Sequence, residues 1–452
     1  MKDYDTFIFS SYKWLPEKQT VYLHYGLDDD IHFTEEITFP EDFIINRNDE
    51  SLDTALFALH LIGGISYFKT CLPQTIKINS GSLTKEQANF WNTVYTKGLG
   101  EFFYQNKINP TGLINFPVDE NKTLSPIKSD KPREGTLVPI GGGKDSMVTA
   151  ELLKNGGIDF DFLRLNKHPV ITKLAEIANK PLHNIKRRID PTLFKLNTEG
   201  ALNGHIPITA FISFLSVVTA ILGNKKNVIM SNEDSANIGN TTLEGLDVNH
   251  QWSKSLEFEK MIQQYILKNI ALDINYCSLL RPLSELSITQ LFCNQPEYFE
   301  DAVSCNKNWK VAKEKIDKHD VAMNHSLRSG SWCGKCPKCA FVFCQMAAFL
   351  PSEKLINIFG NNLFEDEELI PTYKQLLGLE GIKPFECVGT PEETSTALLL
   401  AINNGWEETL VLQMFLVEKA PSIENPKKLI EDVLSYSENH AIPPSFLSLI
   451  QT

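Results

Sequence analysis

The 452-residue chain has no excess of basic residues: 43 Lys and Arg stand against 56 Asp and Glu, a net charge of −13 at pH 7. A nucleic acid would be gripped through its phosphates by a basic surface, so this balance argues against one as the main partner. A small anion needs only a local basic patch and stays open. The first 16 residues lack the basic start and apolar core of a secretory signal, carrying acids and aromatics instead. Long apolar runs are almost missing. Residues 206–222 form one, but it is short for a bilayer and begins beside Pro207, which favours a helix buried in an α/β domain. There is no internal repeat and no low-complexity tract. Nine cysteines without a leader point to a reducing compartment, where clustered thiols hold metal more often than they pair. These absences leave a soluble cytoplasmic enzyme with no membrane insertion, acting on a small molecule. They leave the oligomeric state unspecified.

What is present divides the chain in three. Residues 6–12, 20–25 and 31–38 alternate apolar and polar side chains, as half-buried strands do. Helical patterns follow over 52–71 and 85–105, and a Lys-, Asp-, Pro- and Ser-rich stretch at 119–135 reads as a linker. From Thr136 the pattern becomes strand, turn, helix, with strands at 137–140, 160–165, 184–188 and 227–230. Alternation of this kind predicts a doubly wound parallel sheet covered on both faces. Beyond Phe349 the chain is helical and acidic, with a turn-rich insertion at 382–391. The expected domains are an N-terminal α+β region (1–130), a nucleotide-binding domain (131–350) and a C-terminal helical region (351–452).

The strongest local signal is PIGGGKDS at 139–146, between a strand and a helix. Three glycines turn the backbone tightly and point several N–H groups into one space, to which the helix adds its positive end. Gly141, Gly142 and Gly143 are thus expected to cradle phosphate. Lys144 adds charge, Ser146 a hydroxyl, and Asp145 a helix cap or an Mg²⁺ ligand. The spacing fits neither G-x-G-x-x-G nor G-x-x-x-x-G-K-[ST]. It is similar to the S-G-G-x-D-S loop of PP-loop ATP pyrophosphatases, which grips the departing pyrophosphate, with Gly141 in place of the leading Ser. In such sheets ligands sit beyond the carboxyl ends of the strands. That rule nominates Asn166 and Asn232 for the nucleotide, and Arg187 and Arg188 for acidic groups of the substrate.

WCGKCPKC at 332–339 holds three cysteines at two-residue spacing, so Cys333, Cys336 and Cys339 can converge on one ion. Lys335 and Lys338 can offset the thiolate charge. Cys305 is the expected fourth ligand, ahead of His325 and Cys344. One upstream Cys with a C-x-x-C-x-x-C resembles the structural zinc site of PP-loop enzymes that make 7-deazaguanine bases. An iron–sulfur cluster, as in some tRNA-thiolating relatives, is the competing occupant.

Further stretches are more particular: LHLIGGISY (59–67), NGHIP (203–207), VNHQWSK (248–254), LLRPLSEL (279–286) and KPFECVG (383–389). With the loop and the cysteine knuckle, this set resembles the UDP-N-acetyl-α-D-muramoyl-L-alanyl-L-glutamate epimerase family over residues 60–389. The resemblance implies a PP-loop fold and inversion of a terminal L-glutamate in a peptidoglycan precursor. It also implies that ATP is converted to AMP and pyrophosphate. An acyl-adenylate makes chemical sense there, because esterifying the carboxylate acidifies its α-carbon. His205, His250 and Cys387 lie within these stretches and can titrate near neutrality, which makes them candidates for moving the proton. Lys254 and Arg281 are candidates for the substrate's acidic groups. Amide- or nitrile-forming and thiolating PP-loop enzymes, acting on a nucleotide base or tRNA, are the alternative. They leave the first 130 and last 100 residues unused.

Overall fold

The computed structural model describes residues 4–43, 50–123, 132–305, 332–406 and 408–451. Eleven strands are found among them: β1 (Thr6–Leu15), β2 (Thr20–Leu27), β3 (Ile31–Thr38), β4 (Thr75–Ile78), β5 (Thr136–Pro139), β6 (Phe160–Leu165), β7 (Leu182–Arg188), β8 (Asn227–Met230), β9 (Thr241–Leu243), β10 (Leu246–Val248) and β11 (Asn275–Ser278). Nine form one sheet in the order β11-β8-β5-β6-β7-β3-β2-β1-β4, while β9 and β10 form a small hairpin.

From β11 to β7 the strands run parallel, with helices between them, as alternating strand and helix patterns require. The sheet as a whole is mixed. β3 joins β7 antiparallel, and β2 and β1 continue as an antiparallel meander closed by β4. A buried ion pair fastens this seam: the Arg187 guanidinium donates to both oxygens of Glu35, at 2.8 and 3.0 Å, and lies over the Phe211 ring. Tyr67 also donates to Glu35, at 3.0 Å. Removing one partner of such a pair typically costs about 3–5 kcal/mol, because the other charge stays buried alone.

Successive residues of the central strands feed two different cores. Val228 and Met230 join one hydrophobic cluster and Ile229 the other; Tyr276 and Cys277 divide in the same way. This is the period-two alternation of a strand covered on both faces. One core holds the N-terminal helices and the apolar helix Ile208–Leu222; the other holds the loop helix Lys144–Asn155 and the C-terminal helices. The apolar run is thus a buried internal helix, as its composition predicts. The helical pattern at 52–71 is broken between Glu50–Gly63 and Ile65–Phe68. At that break a Cβ on Gly64 would meet the Phe9 ring at 2.4 Å, so the close approach requires glycine. Among the described residues the run Ser51–Phe68 is long and apolar enough to cross a membrane, and it is 89% buried inside the fold.

Candidate functional site

The glycine loop opens a cavity of about 350 Å³ at the carboxyl ends of the parallel strands. Its floor is Ile140, Gly141, Gly143 and Ser146; an apolar wall comes from Leu163, Leu165, Ile208, Ile212 and Met230; Asn232, Lys254, Lys338 and Cys387 line the rest. A larger cavity of about 440 Å³, lined by Gln87, Phe90 and Tyr265 among others, contains no residue of the loop or the cysteine knuckle.

Gly142 takes φ +83°, a left-handed conformation that favours glycine. Gly143 is the N-cap of Lys144–Asn155 and no side chain caps that end, so its first N–H groups remain available to an anion. The cap expected of Asp145 is therefore not formed; its carboxylate pairs with Lys144 at 2.5 Å. Lys144 is buried and also pairs with Glu285, which receives Lys338 at 3.1 Å. Burial alone would lower the Lys144 pKa, but the two carboxylates hold it charged. Glu233 completes this end. It is 1% exposed, and neither carboxylate oxygen has a hydrogen-bond partner. Burial pushes its pKa up. Oxygens of Asp145, Glu233 and Glu285 lie within 4.8 Å of one another.

At the other end Lys254 and Cys387 face the cavity. His250 neighbours Cys387 and sets its Nδ1 2.5 Å from Glu101 Oε2; His205 Nδ1 lies 3.3 Å from the same oxygen. Burial alone would push the Cys387 thiol up, but the Lys254 ammonium and His250 bring it down to about 7. For His250, burial works downward, while hydrogen bonds to Cys387 and Glu101 lift it to about 9. Burial and the neighbouring His250 lower the pKa of His205. Both shifts favour a thiolate beside an imidazolium, as in a pair organised for proton transfer.

The four cysteines also converge. Sulfurs of Cys305, Cys333, Cys336 and Cys339 lie within 4.8 Å of one another, with Cys333–Cys339 at 3.6 Å and Cys336–Cys339 at 3.5 Å. Tetrahedral Zn–S bonds of about 2.3 Å place sulfurs about 3.8 Å apart, so the donor set fits such an ion. Cys344 is separate and contacts the Thr394 carbonyl; His325 lies outside the described residues. The knuckle is joined to the cavity. Ser304, beside Cys305, lies 3.1 Å from where a Cβ on Gly143 would sit, and Lys338, between two ligands, reaches Glu285. Lys338 therefore does not spend its charge on the thiolates, as its position in the motif suggests. Lys335 turns outward to Asp366 and Glu368.

Other nominated residues stand apart. Arg187 is used in the seam with Glu35, and Arg281, 0% exposed, is held by Glu259 and by the carbonyls of Glu233 and Lys254. With their donors spent inside the fold, neither is carried forward as a substrate ligand. Arg188 is exposed and cross-strand from Glu36. Asn166 is exposed at φ +60°, and its side chain accepts from the Arg187 N–H. Sequence reasoning missed Glu101, which carries no motif, and Glu285, which lay unassigned within a quoted stretch.

Fold and cavity define an α/β protein with a glycine loop and an uncapped helix N-terminus at the ends of its parallel strands, and a cysteine thiol in the same cavity with a histidine behind it. The comparisons narrow this. A family model described as the MurL N-terminal domain matches residues 1–279, and one described as the MurL C-terminal domain matches 301–429. The chain belongs to the MurL family. It is 39% identical over 399 residues to a UDP-N-acetyl-alpha-D-muramoyl-L-alanyl-L-glutamate epimerase of Xanthomonas oryzae pv. oryzae, covering 88% of this chain and 86% of that protein. Proteins of the same name from Micromonospora sp. and Salinispora tropica are 37% and 36% identical over 449 and 423 residues. These alignments cover 98% and 92% of this chain, and 97% and 89% of those proteins.

Proposed function

We propose that the chain converts the terminal L-glutamate of UDP-N-acetylmuramoyl-L-alanyl-L-glutamate to D-glutamate in peptidoglycan precursor synthesis, with ATP cleaved to AMP and pyrophosphate. The substrate follows from the names of the relatives. The observation that supports the chemistry is one cavity lined by both the glycine loop and Cys387, a thiol that Lys254 and the neighbouring His250 hold below its ordinary pKa.

In this reading the adenine lies against Leu163, Ile208 and Ile212, and the loop N–H groups with Lys144 hold the β- and γ-phosphates. The substrate α-carboxylate attacks the α-phosphorus, forming an acyl-adenylate and breaking the bond to the pyrophosphate. Without that step, removing the α-proton would add a second negative charge to a carboxylate. With it, the Cys387 thiolate takes the proton from one face and later loses it to solvent. Water or a second acid delivers a proton to the opposite face and inverts the centre. Water then hydrolyses the acyl-adenylate to the D-glutamate carboxylate and AMP. His250 holds the thiolate, and Lys254 receives an acidic group of the substrate. Mg²⁺, which would offset charge on the leaving group, has donors in Asp145, Glu233 and Glu285. Zn²⁺ fits the four cysteines as a structural ion that fixes Ser304 and Lys338.

The deciding experiment supplies ATP, Mg²⁺ and the UDP-linked dipeptide, and follows pyrophosphate and glutamate chirality. ATP-dependent D-glutamate is the expected product. Pyrophosphate without inversion keeps the adenylation step and points to another acceptor. Metal-loaded, folded protein that gives neither product overturns the reading.

A further inference from the structure

The Cys387–His250 pair does not end at its histidine. Glu101 stands in the first turn of the short helix Gly100–Asn106, far from the loop and the knuckle in sequence, and reaches His250 Nδ1 at 2.5 Å. Its side chain is only 14% exposed, and among the described residues it pairs with His250 and His205. The His250 backbone is fixed independently, since its N–H donates to Asn240 Oδ1 at 2.9 Å. Asn240 in turn donates to the carbonyls of Lys383 and Pro384, in the segment that carries Cys387.

Two imidazole nitrogens facing one carboxylate oxygen are also a possible donor set for a metal, since Glu101, His205 and His250 place ligand atoms within 4.8 Å of one another. The hydrogen-bond distance between Glu101 and His250 argues otherwise. With Glu101 as a carboxylate that contact is a donation from His250 Nδ1–H, which leaves no lone pair there for a metal.

We infer that Glu101 is the positioning residue of a Glu101–His250–Cys387 relay, fixing the His250 ring through Nδ1 so that its remaining nitrogen serves the Cys387 sulfur. This rests on the reading that Cys387 moves the substrate proton. The logic is that of any nucleophile or base whose histidine is oriented by a third group. Glu101 is not part of the cavity lining, so its effect passes through the two histidines it holds, of which His250 is the one that acts on Cys387. Charged and titratable groups that act on the pair are few. His250 feels Glu101, His205, Glu386 and Cys387, while Cys387 feels His250, Lys254, Lys338 and Lys383.

The test is the His250 titration followed by NMR of histidine-labelled full-length protein, assigned with His250→Gln. In the wild type the midpoint is expected near 9. In Glu101→Gln it should fall by at least about one unit, toward the ordinary histidine value near 6.5. Turnover should drop about 10- to 100-fold with KM for ATP unchanged, and Glu101→Asp should recover most of both. An unmoved midpoint in folded Glu101→Gln overturns the relay. If that variant does not fold, Glu101→Asp decides: an unchanged titration combined with lost turnover has the same meaning. Should the midpoint shift while neither wild type nor variant exchanges the α-proton, the relay stands and the epimerase reading falls.

Discussion

The two ends of the cavity are built from different kinds of charge. At the loop end Lys144, Glu285, Lys338 and Asp145 neutralise one another by direct ion pairs, and Lys144 stays charged despite its burial. At the far end Cys387 and His250 are brought to about 7 and about 9, close enough to neutrality to exchange protons. A phosphate cradle works by having its dipoles and charges in place before the leaving group develops, so groups that titrate there would weaken it. A proton carrier must change state in every turnover, so a permanently charged group would fail. In the proposed reading one chain meets both demands by controlling which residues find a full counter-ion.

The sharpest way to separate the ends is Cys387→Ala. Inversion and α-proton exchange are expected to fall about 10²- to 10⁴-fold, with ATP-dependent pyrophosphate release kept within several-fold. Loss of both together, at normal thermal stability, would mean the ends do not act separately. Lys144→Met is the complementary change. Glu285 keeps Lys338 as partner, so the fold should hold. Pyrophosphate release should drop about 10²- to 10³-fold and carry inversion down with it. Stopped-time assays of both products on the two variants give the comparison directly.

Removing the knuckle's metal should act on the loop end first, because Ser304 and Lys338 are its neighbours. Cys336→Ser is expected to lose bound metal, melt roughly 10 °C lower and release pyrophosphate about tenfold more slowly. Metal analysis with calorimetry checks this; full retention of metal and stability would remove Cys336 from the ligand set.

The loop end was more legible in the sequence than the far end, for a physical reason. Gly141 to Ser146 and the cysteines do their work through local spacing, which the chain displays directly. The set His205, His250 and Cys387 was drawn together only by membership in recognised stretches, and the structure does place the three side chains side by side. Glu101 could not be found that way, since its part depends on a contact 149 residues away. Arg187 shows the opposite error. A cationic residue at a strand end reads as a ligand, yet β3 pairs with β7 there and Glu35 takes the charge. The strands β4 and β11 were missed although β5 and β8 are equally short, because TLVP and NVIM carry apolar runs while TIKI and NYCS interleave polar residues; β9 and β10 have only three residues each.

A milder test varies pH alone. Below about 7 Cys387 gains a proton and ceases to be a base; above about 9 His250 loses its proton and no longer holds the thiolate. Inversion should therefore follow a bell, falling about tenfold per unit outside it, the two limbs belonging to the coupled pair rather than to either residue. Pyrophosphate release should be flatter across the same range, because the loop-end pairs stay charged. A release profile that tracks inversion at both limbs would break the contrast between fixed and titrating charge.

The smallest expected effect is at Gly141, where the loop departs from S-G-G-x-D-S. A Cβ there would meet nothing within 4 Å, and Gly141 is not among the glycines with positive φ. A serine therefore fits without strain, adding one hydroxyl at the cavity floor. If the backbone N–H groups and Lys144 already supply most of the phosphate contact, Gly141→Ser should change pyrophosphate release and KM for ATP by less than about threefold, under 1 kcal/mol. Gly142→Ser is the control, because its φ of +83° resists any side chain. A gain of tenfold or more in Gly141→Ser would show that the cradle lacks a donor, so that fixed charge alone does not complete the loop end.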